Sequence, residues 1–587
     1  MMTEFPPAAL FIIAALLVPL FRGRARSWLV ILIPACAFLL IASLTPGSSW
    51  KVPFLGYELT FLRVDKLSKV FGYIFTLNAF AAFIYAFYLR DATQHMAALF
   101  YIGSALGVVF AGDLISLYLF WEIMAVASTM LILARKSQKS LGAGFRYVLV
   151  HLVGGLILLA GILVYISHTG SAEFSTMSER SLGAWLILAG FLVNAAVPPL
   201  HAWLADAYPE ATVTGGVILS AYTTKTAVYT LIRGYPGWEI LIVIGCMMSL
   251  YGIIYALLEN DMRRILAYSI INQVGFMVTG VGIGTAMALN GAAAHAFCHI
   301  IYKSLLWMSA GSVLYMTGKS RCTDLGGLYK TMPWTLIFGT IGALAISSFP
   351  GTSGFTSKTL IIEGAVHEHL VWVWLVLEIA SAGVFLHAGI KFPYFVFFAK
   401  DNGLRPGETN RSMLIAMGFM AFLCIFLGVF PQPLYQILPF AEVHFQAYTF
   451  ARVVSQLQLL MLSALVFFLF LPLLKRTETI SLDTDWFYRK GGRALYRVVD
   501  MLFNNVNRVC DQWLARGFTG GINRFCRNAP ARLSYWLLAP FKHIGGIAGD
   551  DPRQFEQSIQ NAFDKGVLPI GLSAALSGLL LALFFIF

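Results

Sequence analysis

Charged residues are scarce in this chain. Asp, Glu, Lys and Arg make up only 12% of its 587 residues, whereas 58% are hydrophobic and the mean hydropathy is +0.74. A soluble globular domain carries about 25% charged residues. The composition therefore argues against a soluble enzyme or binding module and predicts an all-α polytopic membrane protein.

Cysteine is scarce as well. The chain has seven cysteines and no Cys-x-x-Cys pair, which argues against iron–sulfur, haem and zinc sites. No dinucleotide or flavin fingerprint is present, which argues against an independent redox enzyme. We therefore expect no catalytic residue, no metal site and no cofactor. A basic region and a cleavage site are also missing from residues 1–7, so the first apolar run is predicted to be retained as a span.

Long apolar runs recur along the whole sequence. About sixteen of them have the length needed to cross roughly 30 Å of hydrocarbon. They lie near 8–22, 27–45, 68–89, 94–112, 114–134, 146–167, 182–204, 212–233, 238–257, 265–283, 288–316, 334–362, 370–399, 412–430, 456–474 and 566–587.

The net charge of +12 comes from basic residues in the loops between these runs, which argues against nucleic acid as a partner. Most of these residues follow odd-numbered runs: Arg22, Arg24, Arg26, Arg135, Lys136, Lys139, Arg263, Arg264, Lys319, Arg321, Lys330, Lys400, Arg405 and Arg411. The even loops carry few, apart from those before the third run: Lys51, Arg63, Lys66 and Lys69. Because basic loops stay in the cytoplasm, we predict a multi-pass protein of the inner (plasma) membrane with its N-terminus outside.

Two of the runs contain helix breakers at mid-depth. Pro198 and Pro199 interrupt the seventh, and Pro350 and Gly351 interrupt the twelfth. Non-helical backbone inside a membrane must be covered by protein or line a cavity, and paired breaks five spans apart favour inverted repeats. The alternative is that both breaks are simple proline kinks in packed helices.

These patterns predict a domain organisation. N-terminal spans occupy residues 1–93, a core 94–400 with repeats near 94–233 and 238–400, and further core helices 401–475. Residues 476–565 are amphipathic and rich in arginine, so they are predicted to lie on the cytoplasmic face of the membrane, against headgroups or partner subunits. Residues 566–587 then form an anchor helix.

The most informative residues are His295, His299 and Lys303, which recur every four positions within one apolar run. They share one helical face, and a charge near the bilayer centre costs about 3 kcal/mol or more, so this face must line a polar interior. A proton relay is the leading interpretation. The alternative is that these side chains only pack and form hydrogen bonds between helices.

Four further charged residues inside apolar runs are candidates for function. Glu122 and Lys225 each stand alone in their own run, and Lys358 follows the second break directly. Burial and neighbouring charges can balance the proton affinity of such groups, which makes them candidates for a proton or ion pathway. Lys391 belongs either to this pathway or to an interface that its long side chain reaches.

Several motifs in residues 70 to 430 resemble the antiporter-like, proton-translocating subunits of respiratory complex I, of Mrp-type sodium/proton antiporters (their D subunit in particular) and of membrane-bound hydrogenases. They are Trp121-Glu122, Pro199-Leu-His201-Ala-Trp203-Leu-Ala-Asp206-Ala207, Leu266-Ala-Tyr268-Ser269 through Gly275, the His295/His299/Lys303 set and Gly354-Phe-Thr-Ser357-Lys358.

The resemblance implies a fourteen-helix antiporter-like core with two discontinuous helices and a hydrophilic axis at mid-membrane. In that axis Glu122 would be the carboxylate of the fifth span, Lys225 and the His/Lys set the central relay, and Lys358 the terminal lysine of the second half-channel. The C-terminal part is similar to the lateral helix and anchor of the distal complex I subunit.

One position departs from the family pattern. The break in the seventh span usually holds a lysine that pairs with the glutamate of the fifth span, and the corresponding residue here is Asn194. An asparagine forms hydrogen bonds but carries no proton charge. We therefore predict that Glu122 pairs with Lys225 instead, or that the first half-channel is silent.

Three functions remain open at this stage. The chain is predicted to be a proton-translocating subunit, with Na⁺ or K⁺ as a possible second ion, in a hetero-oligomeric membrane complex that includes paralogous subunits. The second function is an energy-coupling subunit of an inorganic-carbon uptake complex or of a redox complex of the NADH-quinone oxidoreductase or hydrogenase type. The third is a scaffold that retains the fold without conducting.

Overall fold

The computed structural model describes residues 4–472, 483–541, 551–565 and 570–586. It divides into two compact units, Met1–Asp485 and Trp486–Phe587. Parts of the predicted boundaries, namely residues 476–482 and 566–569, lie outside the described residues, as do residues 542–550 of the predicted amphipathic segment.

The first unit begins with six helices and a β-hairpin. The helices are α1 (Pro7–Leu17), α2 (Gly23–Ser43), α3 (Lys66–Tyr85), α4 (Ala92–Phe110), α5 (Leu114–Leu133) and α6 (Gln138–Thr169). The hairpin, β1 (Gly47–Phe54) and β2 (Tyr57–Val64), precedes α3 and pairs in antiparallel register from Gly47–Val64 to Phe54–Tyr57. Asp113 caps α5 through the Ser116 N–H and accepts a hydrogen bond from the Thr60 N–H, so one carboxylate ties the hairpin to this end of the bundle.

Short helices follow where the sequence predicts a break. They are α7 (Leu182–Asn194), α8 (Ala202–Ala207), α9 (Val213–Leu219) and α10 (Thr223–Gly234). The chain between α7 and α8 leaves the helix at Ala195 and contains Pro198 and Pro199, which cannot donate a backbone hydrogen bond. A further interruption at residues 220–222, between α9 and α10, was not predicted from the sequence.

The second half of the core contains α11 (Ile240–Leu258), α12 (Met262–Ile283), α13 (Ala286–Thr317), α14 (Pro333–Ile346) and α15 (Ser353–His367). Helices α11 and α12 pack closely because glycines face the neighbouring backbone. A Cβ on Gly245 or Gly275 would lie about 2.6 Å from a backbone oxygen of the facing helix. The second predicted break separates α14 from α15 and contains Pro350 and Gly351, whose φ of 90° suits glycine.

The two predicted breaks are entered from opposite ends of the bundle. The segment before α7 lies beside the hairpin end, where the Phe174 N–H donates to Gly112 O. The segment before α14 lies at the other end, where the carboxylate of Glu408 accepts from the backbone of Trp334. The two interrupted helices therefore run in opposite directions, as inverted repeats require.

The remaining helices of the first unit are α16 (Val371–Val384), α17 (Arg411–Val429), α18 (Gln432–Ile437) and α19 (Phe450–Leu469). Beyond α16 the chain continues in wider π-helical turns at Phe385–Lys391 and Tyr394–Phe398.

The second unit contains α20 (Asp485–Cys510), α21 (Thr519–Leu538), α22 (Pro552–Asp564) and α23 (Ile570–Ile586). Helix α20 continues into a π-helical stretch, Asp511–Phe518. Tyr535 of α21 packs against Phe555 of α22, with ring centroids 5.8 Å apart, in a small apolar cluster.

Ten helices in the described part of the chain are long and apolar enough to cross a membrane. Four shorter apolar helices accompany them, among them α7 and α14, which are halves of interrupted spans. The predicted all-α, multi-pass membrane fold is therefore confirmed.

Candidate functional site

The centre of the first unit holds the three titratable residues of α13. His295, His299 and Lys303 are completely buried. Nδ1 of His295 lies 3.0 Å from the Ser357 hydroxyl, and its Nε2 lies 3.2 Å from Oε1 of Gln273. His295 therefore connects α13 to the second interrupted helix on one side and to α12 on the other.

His299 occupies the middle of the row. Its ring centroid is 6.2 Å from that of His295, and the ring of Tyr302 contacts it edge-on at 5.3 Å. Neither of its ring nitrogens has a hydrogen-bond partner among the described residues, although both are buried. A buried nitrogen of this kind is usually satisfied by ordered water, and a spacing of about 6 Å leaves room for one bridging water.

Two lysines lie on either side of His299 in the polar interior. Lys303 donates to the hydroxyl of Ser269 on α12. Lys225, in the first turn of α10, reaches back across the interruption to Ser220 O at 2.6 Å and to the Thr224 hydroxyl at 3.1 Å. Both ammonium groups are completely buried and interact electrostatically with His299. The interior therefore contains a continuous group of proton-exchanging side chains.

Lys358 extends this group to the second break. Its ammonium donates to Ile346 O, at the end of α14, at 2.7 Å and lies 5.1 Å from the ring centroid of Phe276. Glu378 of α16 is the carboxylate that interacts with it. The side chain of Glu378 also lines a cleft of about 400 Å³ between α15, α16 and α19.

That cleft gives the row an opening toward the surface. Arg452 of α19 pairs with Glu363 of α15 at 2.8 Å along its wall. A series of charged groups therefore runs from the buried second break to the cleft: Lys358, Glu378 and the pair of Glu363 with Arg452. Glu378 was not predicted from the sequence, although its position as the single Glu of the apolar run 370–399 was a signal that could have identified it.

The first break carries different chemistry. Asn194 is buried at the end of α7, and its Oδ1 lies 2.8 Å from Nδ1 of His151 on α6. The imidazole of His151 is held between the rings of Tyr147 and Trp203, at centroid distances of 4.1 and 4.6 Å. His151 therefore supplies a titratable group beside the position where the family has a lysine. Its isolation in the apolar run 146–167 was the sequence signal that could have identified it.

The predicted pairing of Glu122 with Lys225 is wrong. Lys225 turns toward the carbonyl of Ser220, and the Glu122 carboxylate lies against Gly155 of α6, where a Cβ would be only 2.0 Å from Oε1. Glu122 is partly exposed, and its Oε1 has no hydrogen-bond partner among the described residues. Gly155 stands one helical turn after His151 on α6, so the Glu122 carboxylate meets this helix about 6 Å along its axis from His151.

Lys391 has a clear structural contact. Its ammonium donates to three carbonyls at the end of α11, those of Ala256, Leu257 and Glu259, each at 2.7 Å. These are the carbonyls that a helix C-terminus leaves unpaired, and a cation there also interacts favourably with the helix dipole. His387, one turn earlier, is buried and interacts electrostatically with Lys391, Lys303 and Lys358. It is a second histidine that the sequence reasoning missed.

The chain is similar to several known membrane proteins. Residues 111–384 match the family described as NADH:quinone oxidoreductase/Mrp antiporter, transmembrane. NADH-quinone oxidoreductase subunit N of Desulforudis audaxviator is 31% identical over 474 residues, which cover 73% of this chain and 94% of that protein. Hydrogenase-4 component B of Escherichia coli is 26% identical over 436 residues, which cover 66% of this chain and 65% of that protein.

A solved structure shows the same fold. A chain of the membrane-bound sulfane sulfur reductase, described as an archaeal respiratory membrane complex, superposes with a TM-score of 0.69 at 23% identity, covering 86% of this chain and 95% of that one.

The interrupted helices and the buried row of lysines and histidines define an antiporter-like membrane subunit. The chain belongs to the NADH:quinone oxidoreductase/Mrp antiporter transmembrane family. It is a multi-pass membrane protein. The chain spans somewhat less than two thirds of the length of the hydrogenase-4 relative.

Proposed function

We propose that this chain is a proton-translocating subunit of a hetero-oligomeric membrane complex. The observation that carries the proposal is the continuous buried row Lys225, His299, His295 and Lys358, with Lys303 beside it. A buried charge within the bilayer is costly, and five such groups, four of which interact electrostatically with His299, are expected where protons or ions move. A scaffold that only packed helices would gain nothing from them.

The first half-channel of the proposed path uses His151 in place of the missing lysine. A neutral imidazole accepts a proton on one nitrogen and releases one from the other. Nδ1 of His151 is fixed by Asn194, while its Nε2 is buried without a hydrogen-bond partner among the described residues. His151 is therefore oriented to exchange a proton through Nε2, and Glu122 is the nearby carboxylate on α5.

The second half-channel leads outward from Lys358. Its ammonium and the carboxylate of Glu378 form an acid–base pair that adjoins the cleft beside Glu363 and Arg452. A proton released by Lys358 would pass to Glu378 and then to the cleft. The proton would therefore leave at the end of the bundle where α19 begins.

Orientation follows from the distribution of basic loops. The N-terminal segment contacts the hairpin, since the Trp50 indole of β1 donates to Glu4 O at 2.5 Å. The arginines of the loops after α5 and α11 lie at the opposite end, where Arg135 and Arg263 both donate to Pro209 O. The positive-inside rule supports a cytoplasmic location for that end in the cell's inner membrane, with the N-terminus outside.

The amphipathic segment 476–565 supports assembly with other subunits. Helix α20 exposes large apolar residues, including Phe503, Leu495 and Met501, together with arginines. We place this segment on the cytoplasmic face, where it would contact partner subunits and lipid headgroups.

Proton transport by the intact complex in sealed vesicles, energised by its own driving reaction or ion gradient, tests the proposal. In His299→Gln the side chain keeps hydrogen-bonding capacity and loses titration, so flux should fall about tenfold or more while the amount of folded complex is unchanged. The matched control is His444→Gln, at an exposed histidine outside the row. Unchanged flux in His299→Gln at equal incorporation would reject the relay and favour the scaffold.

A further inference from the structure

Asp483, which precedes helix α20 by two residues, inserts its carboxylate into the core of the first unit. The hydroxyls of Tyr251 and Tyr268 donate to it at 2.5 and 2.6 Å. Nε2 of His201 lies 3.1 Å from Oδ1. The Asp483 side chain is only 2% exposed and that of His201 is completely buried. Nothing in the proposed proton path accounts for this carboxylate.

The residue that follows covers the first break. The hydroxyl of Thr484 donates to Pro199 O at 2.9 Å. Pro199 lies in the interruption between α7 and α8, where the helix no longer supplies a donor for such carbonyls. Backbone of this kind is stable at membrane depth only when other groups satisfy it. Asp483 and Thr484 together therefore close the interruption, one through the side chain of His201, which immediately precedes α8, and the other through the backbone.

His201 is the third side chain beside the Asp483 carboxylate, after Tyr251 and Tyr268. Its Nε2 lies 3.1 Å from Oδ1 of Asp483, an ion-pair distance, although neither ring nitrogen meets the geometry of a hydrogen bond among the described residues. The ring also packs edge-on against Tyr251 at 4.5 Å. The orientation of the imidazole is therefore set by the Asp483 carboxylate on its Nε2 side and by the ring of Tyr251.

The other titratable groups around this carboxylate lie on α11 and α12. Tyr255 stacks between Tyr251 and Tyr268, with ring centroids 4.4 and 5.3 Å away. Arg264 interacts with Tyr268 and pairs with Glu259 at 3.1 Å, so its charge is already balanced. Apart from the two tyrosines that donate to it, His201 is therefore the titratable side chain in direct contact with the Asp483 carboxylate among the described residues.

Burial by itself would raise the pKa of the Asp483 carboxyl. The hydrogen bonds and charge offered by His201, Tyr251 and Tyr268 outweigh burial and hold this pKa below its ordinary value. A carboxyl with a lowered pKa stabilises the folded state above its ordinary titration range, and this contribution disappears only as the pH falls through the folded value. The Asp483 carboxyl is therefore ionised at neutral pH.

We propose that Asp483 is a positioning residue of the first half-channel: by pairing with His201 and placing Thr484 over Pro199 O, it fixes the geometry of the first interruption. The inference rests on the proposed function, since it assigns the contact a role in proton flow. Withdrawal of Asp483 leaves the imidazole of His201 and the carbonyl of Pro199 without their partners.

The test combines hydrogen exchange with proton flux, both on the intact complex. In Asp483→Asn, amide exchange in peptides that cover 200–204 and 484–487 should become about tenfold faster, because a hydrogen-bonded charge is lost. Flux should fall several-fold with the amount of folded complex unchanged. Asp483→Glu keeps the charge and should restore slower exchange in part. Asp500→Asn, the same change at an exposed position of α20, is the control and should match the wild type.

A double variant separates pairing from general damage. Because Asp483 and His201 act together, His201→Gln in the Asp483→Asn background should add little to the faster exchange. If Asp483→Asn does not accumulate, Thr484→Val keeps the shape of the segment and should still speed exchange at 200–204.

The exchange and flux results test different statements. Exchange at 200–204 that stays at the wild-type rate in Asp483→Asn or Thr484→Val overturns the contact. Faster exchange with unchanged flux overturns the positioning role. Absence of proton flux in the wild type would refute the proposed function while leaving the exchange result to decide whether Asp483 closes the break.

Discussion

The break between α7 and α8 and the break between α14 and α15 leave the same kind of carbonyl without a helical partner. At the first, the indole of Trp203 donates to Val193 O at 3.0 Å. At the second, the ammonium of Lys358 donates to Ile346 O at 2.7 Å. Each donor lies beyond the break and reaches back to the preceding half-helix. Because a neutral indole suffices at the first break, the backbone does not require a charge at the second.

The titratable groups near the two breaks differ in the same way. The second break has the Lys358 ammonium with Glu378, whereas the first has the neutral amide of Asn194 with His151. In the first half the proton-exchanging group is His151 on α6, whereas the family pattern has a lysine at the position of Asn194 on α7. A helix break and the chemistry beside it are therefore separable features of this fold.

The largest expected effect comes from removing the charge at the second break. Lys358→Met keeps the length of the side chain and removes the group that exchanges protons with Glu378, so proton flux in vesicles should fall about 100-fold. Lys319→Met, at an exposed lysine, is the control. Flux within a factor of two of the wild type would mean that the ammonium serves only to cap α14, as Trp203 caps α7.

His151→Gln should have a smaller effect on flux. Glutamine can still form a hydrogen bond with Asn194 but cannot titrate, so we expect flux to fall about tenfold with normal folding. The control is His95→Gln, at a buried histidine whose Nε2 lies 3.2 Å from Leu89 O, away from the row. Equal losses in both variants would show that His151 has no special role in the first half-channel.

Trp203→Phe should affect stability rather than transport. The variant removes one of the two donors to the buried carbonyl of Val193, the Ala196 N–H at 3.1 Å being the other, and it shrinks a buried ring. We expect the loss to be about 1–3 kcal/mol, while the titratable groups are unchanged. Thermal unfolding of the purified complex measures the loss, and Trp185→Phe, at a partly exposed tryptophan on α7, is the control. A large loss of flux per folded complex would contradict the view that Trp203 supports the backbone at the first break without taking part in proton transfer.

Glu122→Gln should have the smallest effect on stability. The carboxylate is partly exposed and forms no ion pair among the described residues, so the free energy of unfolding should change by less than about 1 kcal/mol. The same thermal unfolding experiment measures it. A loss as large as that of Trp203→Phe would reveal a cation partner in the assembled complex.

Composition and helix breakers predicted most of the fold. Apolar runs and the paired prolines indicated the multi-pass helices and the breaks after Asn194 and before Gly351, because both depend on local chain properties. The break at residues 220–222 carries no proline or glycine and arises from packing around Tyr222, whose hydroxyl bonds to Phe75 O. Local sequence does not encode such a contact.

The candidate site was predicted less completely. The spacing of His295, His299 and Lys303 indicates a shared helical face, so their burial together could be expected from one helix alone. The pairs His151–Asn194 and Asp483–His201 join residues 43 and 282 positions apart in the chain. Their contacts depend on how helices pack, which is why the sequence suggested a pairing of Glu122 with Lys225 that does not occur.

The central claim is that both halves feed one continuous buried path, and the fluxes of Lys358→Met, His151→Gln and the double variant test it directly. Steps in series predict that Lys358→Met alone removes nearly all proton flux and that adding His151→Gln lowers it little further. Two independent channels predict that each single variant retains about half of the flux and that only the double variant abolishes it, because each channel would carry its own share. Retention of half the flux in Lys358→Met, at equal incorporation into vesicles, would contradict the account.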